Sequence, residues 1–163
     1  MEDLRYWTYI NSPVGFLKLT STEDELIAIS FSEKTGDSTS YQPEVLKVTE
    51  KQLNEYFERS RTEFDLKLNP GGTPFQQKIW ELVRRVPFGK TASYIDIARE
   101  AGSLAKTRAV GMANGKNPIP IVIPCHRIIG KNGSLTGYAG GIERKLFLLQ
   151  HEMKHSHSPE TLF

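Results

Sequence analysis

The first third of the chain alternates between hydrophobic and polar residues in three short runs. The runs YWTYI (6–10), FLKLTST (16–22) and ELIAISF (25–31) have the two-residue period of half-buried β-strands, and turn-forming or charged residues separate them. Short connections between consecutive strands favour antiparallel pairing. The pattern therefore predicts an antiparallel meander.

The hydrophobic period lengthens between Pro43 and about Ser60, which predicts a helix. Its apolar stripe consists of Leu46, Thr49, Leu53, Tyr56 and Phe57. The run EFDLKLN (63–69) returns to alternation and predicts a further strand. The turn formers NPGG (69–72) then interrupt the pattern, so we predict an α/β domain over residues 1–69 and a linker over 70–73.

Residues 74–153 carry a helical pattern and are predicted to form a second, mainly α domain. Thr73 is the expected N-cap of its first helix, with Gln76 as the reciprocal capping partner, and Ser93 and Asp96 have the same spacing before the second helix. A third helix is predicted from about Leu104 to Asn114. The apolar face of the first helix is Phe75, Ile79, Leu82, Val83 and Val86, and that of the second is Tyr94, Ile97, Ala98 and Ala101.

Three prolines within residues 118–124 predict extended backbone up to the PCHR segment. A last helix is expected from Ile142 to about Glu152. Its predicted core stripe is Ile142, Leu146, Leu149 and Met153, with Leu148 and Glu152 on the flank. The remaining residues, 154–163, have no hydrophobic period and are predicted to be a flexible tail.

Composition places the chain among globular proteins. It has 163 residues, of which 38% are hydrophobic, enough for a packed core. No apolar stretch approaches the roughly 18 residues of a membrane span, and the start, MEDLRYWTYINS, does not have the basic and apolar regions of an export signal. We therefore expect a cytoplasmic protein with no membrane partner.

The net charge of +2 conceals an asymmetry between the two halves. Residues 1–69 hold 8 Lys or Arg against 13 Asp or Glu, whereas residues 70–154 hold 13 against 5. A basic half favours a polyanionic partner, nucleic acid being the commonest. The alternative is an ordinary solvated basic face.

The second and third predicted helices, joined through Gly102, form a candidate helix-turn-helix. Lys106, Arg108 and Lys116 lie at or near the ends of the third helix, where they could contact DNA phosphates. Most helix pairs with a glycine turn are structural, and the pattern alone leaves both interpretations open.

Cys125 is the single cysteine of the chain, and His126 follows it directly. One cysteine excludes an internal disulfide and a multi-cysteine zinc site. A histidine can activate a thiol as a nucleophile, although consecutive side chains of an extended segment point to opposite faces. A buried cysteine that acts as a small hydrophobic residue is the alternative.

Longer motifs around Cys125 resemble one protein family. PIPIVIPCHRIIG, preceded by SYIDIAREAG and TRAVGMANGKNP and followed by GYAGGIERKLFLLQHE, is similar to the O6-alkylguanine-DNA alkyltransferases, also called methylated-DNA–protein-cysteine methyltransferases. The resemblance runs from about residue 73 to residue 152. It implies an amino-terminal ribonuclease-H-like α/β domain, a winged-helix-like DNA-binding domain, and irreversible, stoichiometric transfer of an alkyl group from O6-alkylguanine in double-stranded DNA to a cysteine.

The resemblance also implies a role for individual residues. Cys125 would accept the alkyl group, His126 would take the thiol proton through water, and Glu152 would orient His126. Tyr94 would crowd the target phosphate and offer its hydroxyl to the flipped guanine, and Arg108 would fill the space left in the duplex. Further implied positions are Ala105, Lys106 and Asn114 at the DNA, Ile128, Tyr138 and Ala139 around the guanine, and Asn117 and Arg127 as structural support.

Two features depart from many members of that family. Ala139 stands where a serine often lies, which removes a hydroxyl donor to O6. Residues 1–124 contain neither cysteine nor histidine, so the zinc site of some members is not expected here. We expect a monomer that needs no cofactor.

Two rival functions remain at this stage. A damage sensor that flips the alkylated base without reacting would lack the reactive cysteine. A hydrolase with a Cys-His-Glu set would need an oxyanion site, which the sequence does not identify.

Overall fold

The three alternating runs form the predicted antiparallel meander. A computed structural model describes residues 4–135 and 138–156, with side chains through residue 153. Strands β1 (Tyr6–Ser12), β2 (Gly15–Ser21) and β3 (Leu26–Ser32) pair in that order. Ile10 pairs with Leu17, and Leu19 with Ile29, so the buried residues of neighbouring strands lie on one face of the sheet.

Helix α1 (Glu44–Phe57) contacts all three strands of this sheet. Its buried residues are Leu46, Thr49, Gln52, Leu53 and Tyr56. Phe57, predicted on the same stripe, is only partly buried. The buried amide of Gln52 takes a place that the hydrophobic pattern could not assign.

The strand predicted over residues 63–69 does not form. Only an isolated parallel bridge joins Leu68 to Leu26. The Asp65 backbone N–H instead donates to Gln52 Oε1 at 2.9 Å, and Gln52 Nε2 donates to the Asp65 carbonyl at 3.1 Å. A helix side chain thus satisfies backbone groups that a strand would offer to a neighbouring strand.

The chain divides into two units between Gly71 and Gly72. In the second unit, helix α2 (Pro74–Arg84) and helix α3 (Tyr94–Glu100) each begin with the predicted capping box. Helix α4 (Thr107–Gly115) begins later than predicted, because residues 104–106 form a separate 3-10 turn. Gly102, at a φ of 93°, makes the turn between α3 and that segment.

Trp80 joins α2 to α4 and was not on the predicted face of α2. Its indole Nε1 donates to the Ala113 carbonyl at 2.8 Å, and its side chain is buried. Gly72 has a φ of 86°, and a Cβ there would lie 2.7 Å from the Trp80 ring. The break between the units therefore requires glycine both for its backbone angle and for space.

Helix α5 spans Ile142–Ser156, longer than predicted, while residues 157–163 of the predicted tail lie outside the described residues. The predicted core stripe is wrong, because Ile142 is 56% exposed. The buried face is instead Lys145, Leu148, Leu149, His151 and Glu152. Two charged side chains define this face, so an apolar pattern could not find it.

The described part of the chain contains no helix that is long and apolar enough to cross a bilayer.

Gln52 provides a test of the first unit. Replacing it with alanine removes two hydrogen bonds to Asp65 and should lower the free energy of unfolding by about 1–2 kcal/mol. Urea denaturation would measure the change. The matched control is Lys51→Ala, an exposed neighbour on the same helix, which should change stability by less than about 0.5 kcal/mol. Equal effects of the two substitutions would contradict this role of Gln52.

Candidate active site

Cys125 begins a 3-10 turn, Cys125–Arg127, rather than continuing the predicted extended segment. The Arg127 N–H donates to the Pro124 carbonyl at 2.9 Å, which closes the turn. Because the backbone turns here, the strand rule that sends consecutive side chains to opposite faces does not apply. Cys125, His126 and Arg127 are all buried.

The residues after the turn fix its place in the second unit. Strand β5 (Ile128–Ile129) pairs in parallel with β4 (Ala92–Ser93). Strand β4 leads directly into α3, whose first residue is Tyr94. This pairing places the start of α3 beside the turn that carries Cys125.

Asn117 holds the loop before the turn. Its Nδ2 donates to the Ile123 carbonyl at 2.8 Å, and its Oδ1 accepts from the Ile119 N–H at 2.9 Å. Between these two residues, Ile121 has a φ of 74°, a conformation that a β-branched residue rarely adopts. The amide of Asn117 therefore bridges a strained loop immediately before Cys125.

Glu152, on the buried face of α5, binds both residues that follow Cys125. Its Oε2 lies 2.7 Å from His126 Nε2, and its Oε1 accepts from Arg127 Nε at 2.8 Å. Arg127 Nη2 also donates to Oε2 at 3.1 Å. The carboxylate thus receives a two-pronged guanidinium and an imidazole in a buried site.

Arg127 extends this cluster toward the end of α2. Its Nη1 donates to the Val86 carbonyl at 2.7 Å, and its guanidinium lies 5.7 Å from the centre of the Phe88 ring. A single side chain therefore connects the turn to α5 and to the segment that follows α2.

The protonation states follow from these contacts. Burial alone would raise the pKa of Glu152, but the charges and hydrogen bonds of His126 and Arg127 outweigh it and hold that pKa well below its usual range. Burial lowers the pKa of His126, against the opposing effect of Glu152. His126 is accordingly neutral near pH 7. An ionised carboxylate can only accept, so Nε2 carries the proton and Nδ1 keeps a lone pair.

Cys125 rests as a thiol. Burial raises its pKa to about 11, although a hydrogen bond with Asn117 and the charge of Lys145 act in the opposite direction. We had expected His126 and Glu152 to supply a thiolate; the free protein does not hold one at neutral pH. Deprotonation must therefore accompany the reaction.

Two further polar side chains lie close to Cys125. Asn114 Nδ2 donates to the Cys125 carbonyl at 3.3 Å. Burial and the charge of Cys125 raise the pKa of Tyr94, which a hydrogen bond with Asn114 lowers. Asn114 is therefore buried beside the thiol, apart from the exposed residues predicted with it at the DNA.

The other residues predicted to contact DNA lie at the start of α4. Ala105, Lys106 and Arg108 are exposed, and Lys106 Nζ lies 5.4 Å from the centre of the Phe75 ring. Leu104 and Met112 are also exposed on this segment, at 56% and 60%. The start of α4 therefore presents a mixed basic and apolar surface.

The predicted guanine pocket is described in part. Ile128 is buried, Tyr138 is half-buried and Ala139 is exposed. Burial and the charge of Cys125 raise the pKa of Tyr138 well above its usual value. Residues 136 and 137, which precede these last two in the same loop, lie outside the described residues.

Two protein-family comparisons cover both units. Residues 5–70 match the 6-O-methylguanine DNA methyltransferase ribonuclease-like domain, and residues 74–154 match the DNA-binding domain of the same family. The chain belongs to the 6-O-methylguanine DNA methyltransferase family. The predicted resemblance and the predicted two-part fold class are both confirmed.

Individual family members match nearly the whole chain. The methylated-DNA–protein-cysteine methyltransferase of Mycolicibacterium paratuberculosis is 40% identical over 158 residues, covering 94% of this chain and 96% of its own. The constitutive enzyme of that name from Bacillus subtilis is 42% identical, with 91% and 96% covered. The crystal structure of Mycobacterium tuberculosis OGT in complex with DNA superposes with a TM-score of 0.83, at 43% identity and with 91% and 93% covered.

One buried side chain of this family member was missed by the sequence analysis. Lys145, on α5, is 0% exposed, and its Nζ donates to the Ile128 carbonyl at 2.7 Å. The signal that could have found it is the helical period. Once Glu152 is assigned to the active site, Lys145 lies two turns earlier on the same face.

Within the described ranges, no group of three or more His, Cys, Asp or Glu side chains is arranged to hold a metal ion. The expectation of no zinc stays a prediction.

The electrostatics of His126 and Glu152 predict acid sensitivity. Both folded-state pKa values lie below their ordinary ones, so the unfolded chain binds more protons as the pH falls. Stability should decline as the pH drops below about 6.5, through His126, and again below about 4.5, through Glu152. Urea denaturation at pH 7.5, 6, 5 and 4 would measure it.

His126→Gln provides the comparison, since it removes the imidazole that resists protonation. Relative to the unsubstituted protein, this variant should lose less stability between pH 7.5 and pH 5. Parallel stability curves for the two proteins would contradict the assignment of a neutral, buried His126.

Proposed function

We propose that this chain repairs O6-alkylguanine in double-stranded DNA by transferring the alkyl group to Cys125 after the nucleotide has left the base stack. One observation carries the proposal. The single cysteine of the chain begins a turn whose next two residues both bind the buried carboxylate of Glu152. A thiol, an imidazole and a carboxylate in this order form a nucleophile, a base and a group that orients the base.

His126 is suited to take the thiol proton at Nδ1. Glu152 holds the proton on Nε2, and Nδ1 is buried with no hydrogen-bond partner among the described residues. A bound water could connect the thiol to this atom. The roles of Cys125, His126 and Glu152 in the reaction are therefore part of the proposal, supported by geometry.

The transfer is a single displacement. The sulfur of Cys125 forms a bond to the alkyl carbon, and the bond between that carbon and guanine O6 breaks with its electron pair. The guanine then needs one proton, and the thiol has released one, so protons balance within the site. Tyr94 lies beside Cys125 and offers a hydroxyl from which the guanine could accept a hydrogen bond.

The high pKa of Cys125 is consistent with this sequence of events. At a pKa of about 11 the resting thiol is almost wholly protonated at neutral pH and reacts slowly with stray electrophiles. Proton transfer to His126 would accompany attack on a correctly placed alkyl group. The site thus favours the substrate that it positions.

Base flipping is the step assigned to the start of α4. The O6 atom lies inside the duplex, so a thiol buried at a turn cannot reach it until the nucleotide rotates out. Arg108 is exposed in the first turn of α4, where a long cationic side chain could fill the vacated space. Ala105 and Lys106 would contact the DNA next to it, and Ile128, Tyr138 and Ala139 would surround the guanine.

Stoichiometry tests the proposed function. A thioether has no carbonyl for water to attack, so Cys125 is not regenerated and each chain should react once. With excess duplex containing O6-methylguanine, we expect about one methyl group per chain, found by mass spectrometry on the peptide that contains Cys125. Repair well beyond one equivalent would favour a hydrolase.

Cys125→Ser is the matched control. A serine hydroxyl stays protonated near neutral pH, so transfer should be abolished while binding to the duplex persists. Binding of the damaged duplex with no transfer by the unsubstituted protein would favour the damage-sensor function.

Arg108→Ala should separate extrusion from chemistry. We expect it to slow repair of duplex DNA at least tenfold, yet to change the reaction with free O6-benzylguanine less than about threefold, since the free base needs no flipping. Single-turnover rates with both substrates would measure this. Lys116→Ala, at an exposed lysine at the other end of α4, is the control for lost charge. Equal slowing by Arg108→Ala on both substrates would overturn the assignment.

A further inference from the structure

Lys145 is a buried charge that the reaction described above does not use. Its side chain is 0% exposed, and its Nζ donates to the Ile128 carbonyl at 2.7 Å. Burying an ammonium group is unfavourable unless nearby groups stabilise its charge. A shorter, uncharged residue would avoid this penalty, so its presence calls for a physical reason.

The place of Lys145 on α5 relates it to the reactive turn. Glu152 lies seven residues later, two helical turns or about 10 Å along the same face. Glu152 binds the middle and last residues of the Cys125–Arg127 turn, whereas Lys145 binds the carbonyl of the residue that follows it. The helix therefore sets one negative and one positive group against the segment that carries the thiol.

The charge of Lys145 acts on Cys125 and on His126. It opposes the rise in the pKa of Cys125 and adds to the fall in the pKa of His126. Burial lowers the pKa of Lys145 itself to about 8, while the charge of Cys125 raises it. The titratable and charged groups around the thiol are Tyr94, His126, Arg127, Tyr138, Lys145 and Glu152.

Formal charges in this cluster balance only when Cys125 is ionised. With a thiol and a neutral His126, the carboxylate of Glu152 stands against two cations, Arg127 and Lys145. Arg127 already pairs with Glu152 through two of its nitrogens. A thiolate at Cys125 would therefore supply the negative charge that complements Lys145.

We infer that Lys145 is a positioning residue for charge, whose ammonium group stabilises the Cys125 thiolate as it forms. The inference rests on the proposed function for its purpose, although the effect on the thiol is separate. As the sulfur proton passes to His126, Lys145 keeps its own proton and makes the anion less unfavourable. Its charge also disfavours a lasting imidazolium, so the proton moves on to the departing guanine.

The experiment compares three substitutions of Lys145 with one control. Lys145→Met removes the charge at similar length, Lys145→Gln removes it but keeps an N–H donor for the Ile128 carbonyl, and Lys145→Arg keeps the charge. Lys90→Gln removes an exposed lysine of the same unit. Each protein is reacted from pH 6 to pH 9.5 with methyl methanethiosulfonate, whose adduct can form only at the single cysteine, and at pH 7 with the O6-methylguanine duplex.

Both uncharged variants should react at least tenfold more slowly at pH 7 with either substrate, since tenfold corresponds to one unit in the thiol pKa. Lys145→Arg should stay within about threefold of the parent rate, as should Lys90→Gln. The parent rate with methyl methanethiosulfonate should stop rising near pH 8, where Lys145 loses its proton. Rates of the Met and Gln variants should continue to rise.

The outcomes separate this inference from the proposed function. Parent-like rates in the Met and Gln variants would overturn the role of Lys145, even if one methyl group per chain is still transferred. Slower thiol modification in those variants, in a protein that does not accept the methyl group from DNA, would support the role and reject the repair function. If both variants unfold, a parent profile that rises through pH 8 without a break would overturn the inference.

Discussion

The Glu152 carboxylate is the group on which the active site depends. It is buried, and it binds a neutral imidazole and a bidentate guanidinium from two consecutive residues. Ionised groups are costly to remove from water, and such a pair is favourable only when nearly all of its hydrogen bonds are made. Because Arg127 also reaches the Val86 carbonyl, one ionic contact fixes the turn, α5 and the end of α2 together.

This contact determines the chemistry as well as the position of the turn. An ionised Glu152 fixes the proton of His126 on Nε2, which leaves Nδ1 as the basic atom. The same burial that permits this arrangement raises the pKa of Cys125 to about 11. Burial therefore opposes the thiolate, while the charges around the turn favour it. The balance suits a nucleophile that is stored as a thiol and ionises only with its substrate in place.

The sequence predicts those parts of the fold that local patterns determine. The three strands follow from two-residue alternation, and both capping boxes follow from a hydroxyl residue with a polar partner three positions later. These features depend on neighbours in the chain. The strand predicted at residues 63–69 fails because the Gln52 amide, from a helix more than ten residues earlier, satisfies the Asp65 backbone. No local pattern contains that contact.

The candidate site shows the same division. The PCHR motif identifies Cys125 and His126 from their neighbours, but the extended backbone predicted there becomes a turn. On α5, the apolar stripe through Ile142 predicts the wrong buried face, because charged residues occupy the correct one. Hydrophobic periodicity assumes that burial follows apolarity. That assumption fails where a helix is buried through its ions.

The buried face of α5 has a further consequence for the state of the site after transfer. Before reaction, the thiol proton can leave and give the cluster a second anion beside the cations of Arg127 and Lys145. A thioether at Cys125 can no longer ionise, so the carboxylate of Glu152 remains the only anion to set against those two cations in the cluster. Lys145, whose pKa burial lowers to about 8, can then relieve the excess charge only by releasing its own proton. Consumption of the thiol thus changes the charge of the core of the second unit as well as its nucleophile.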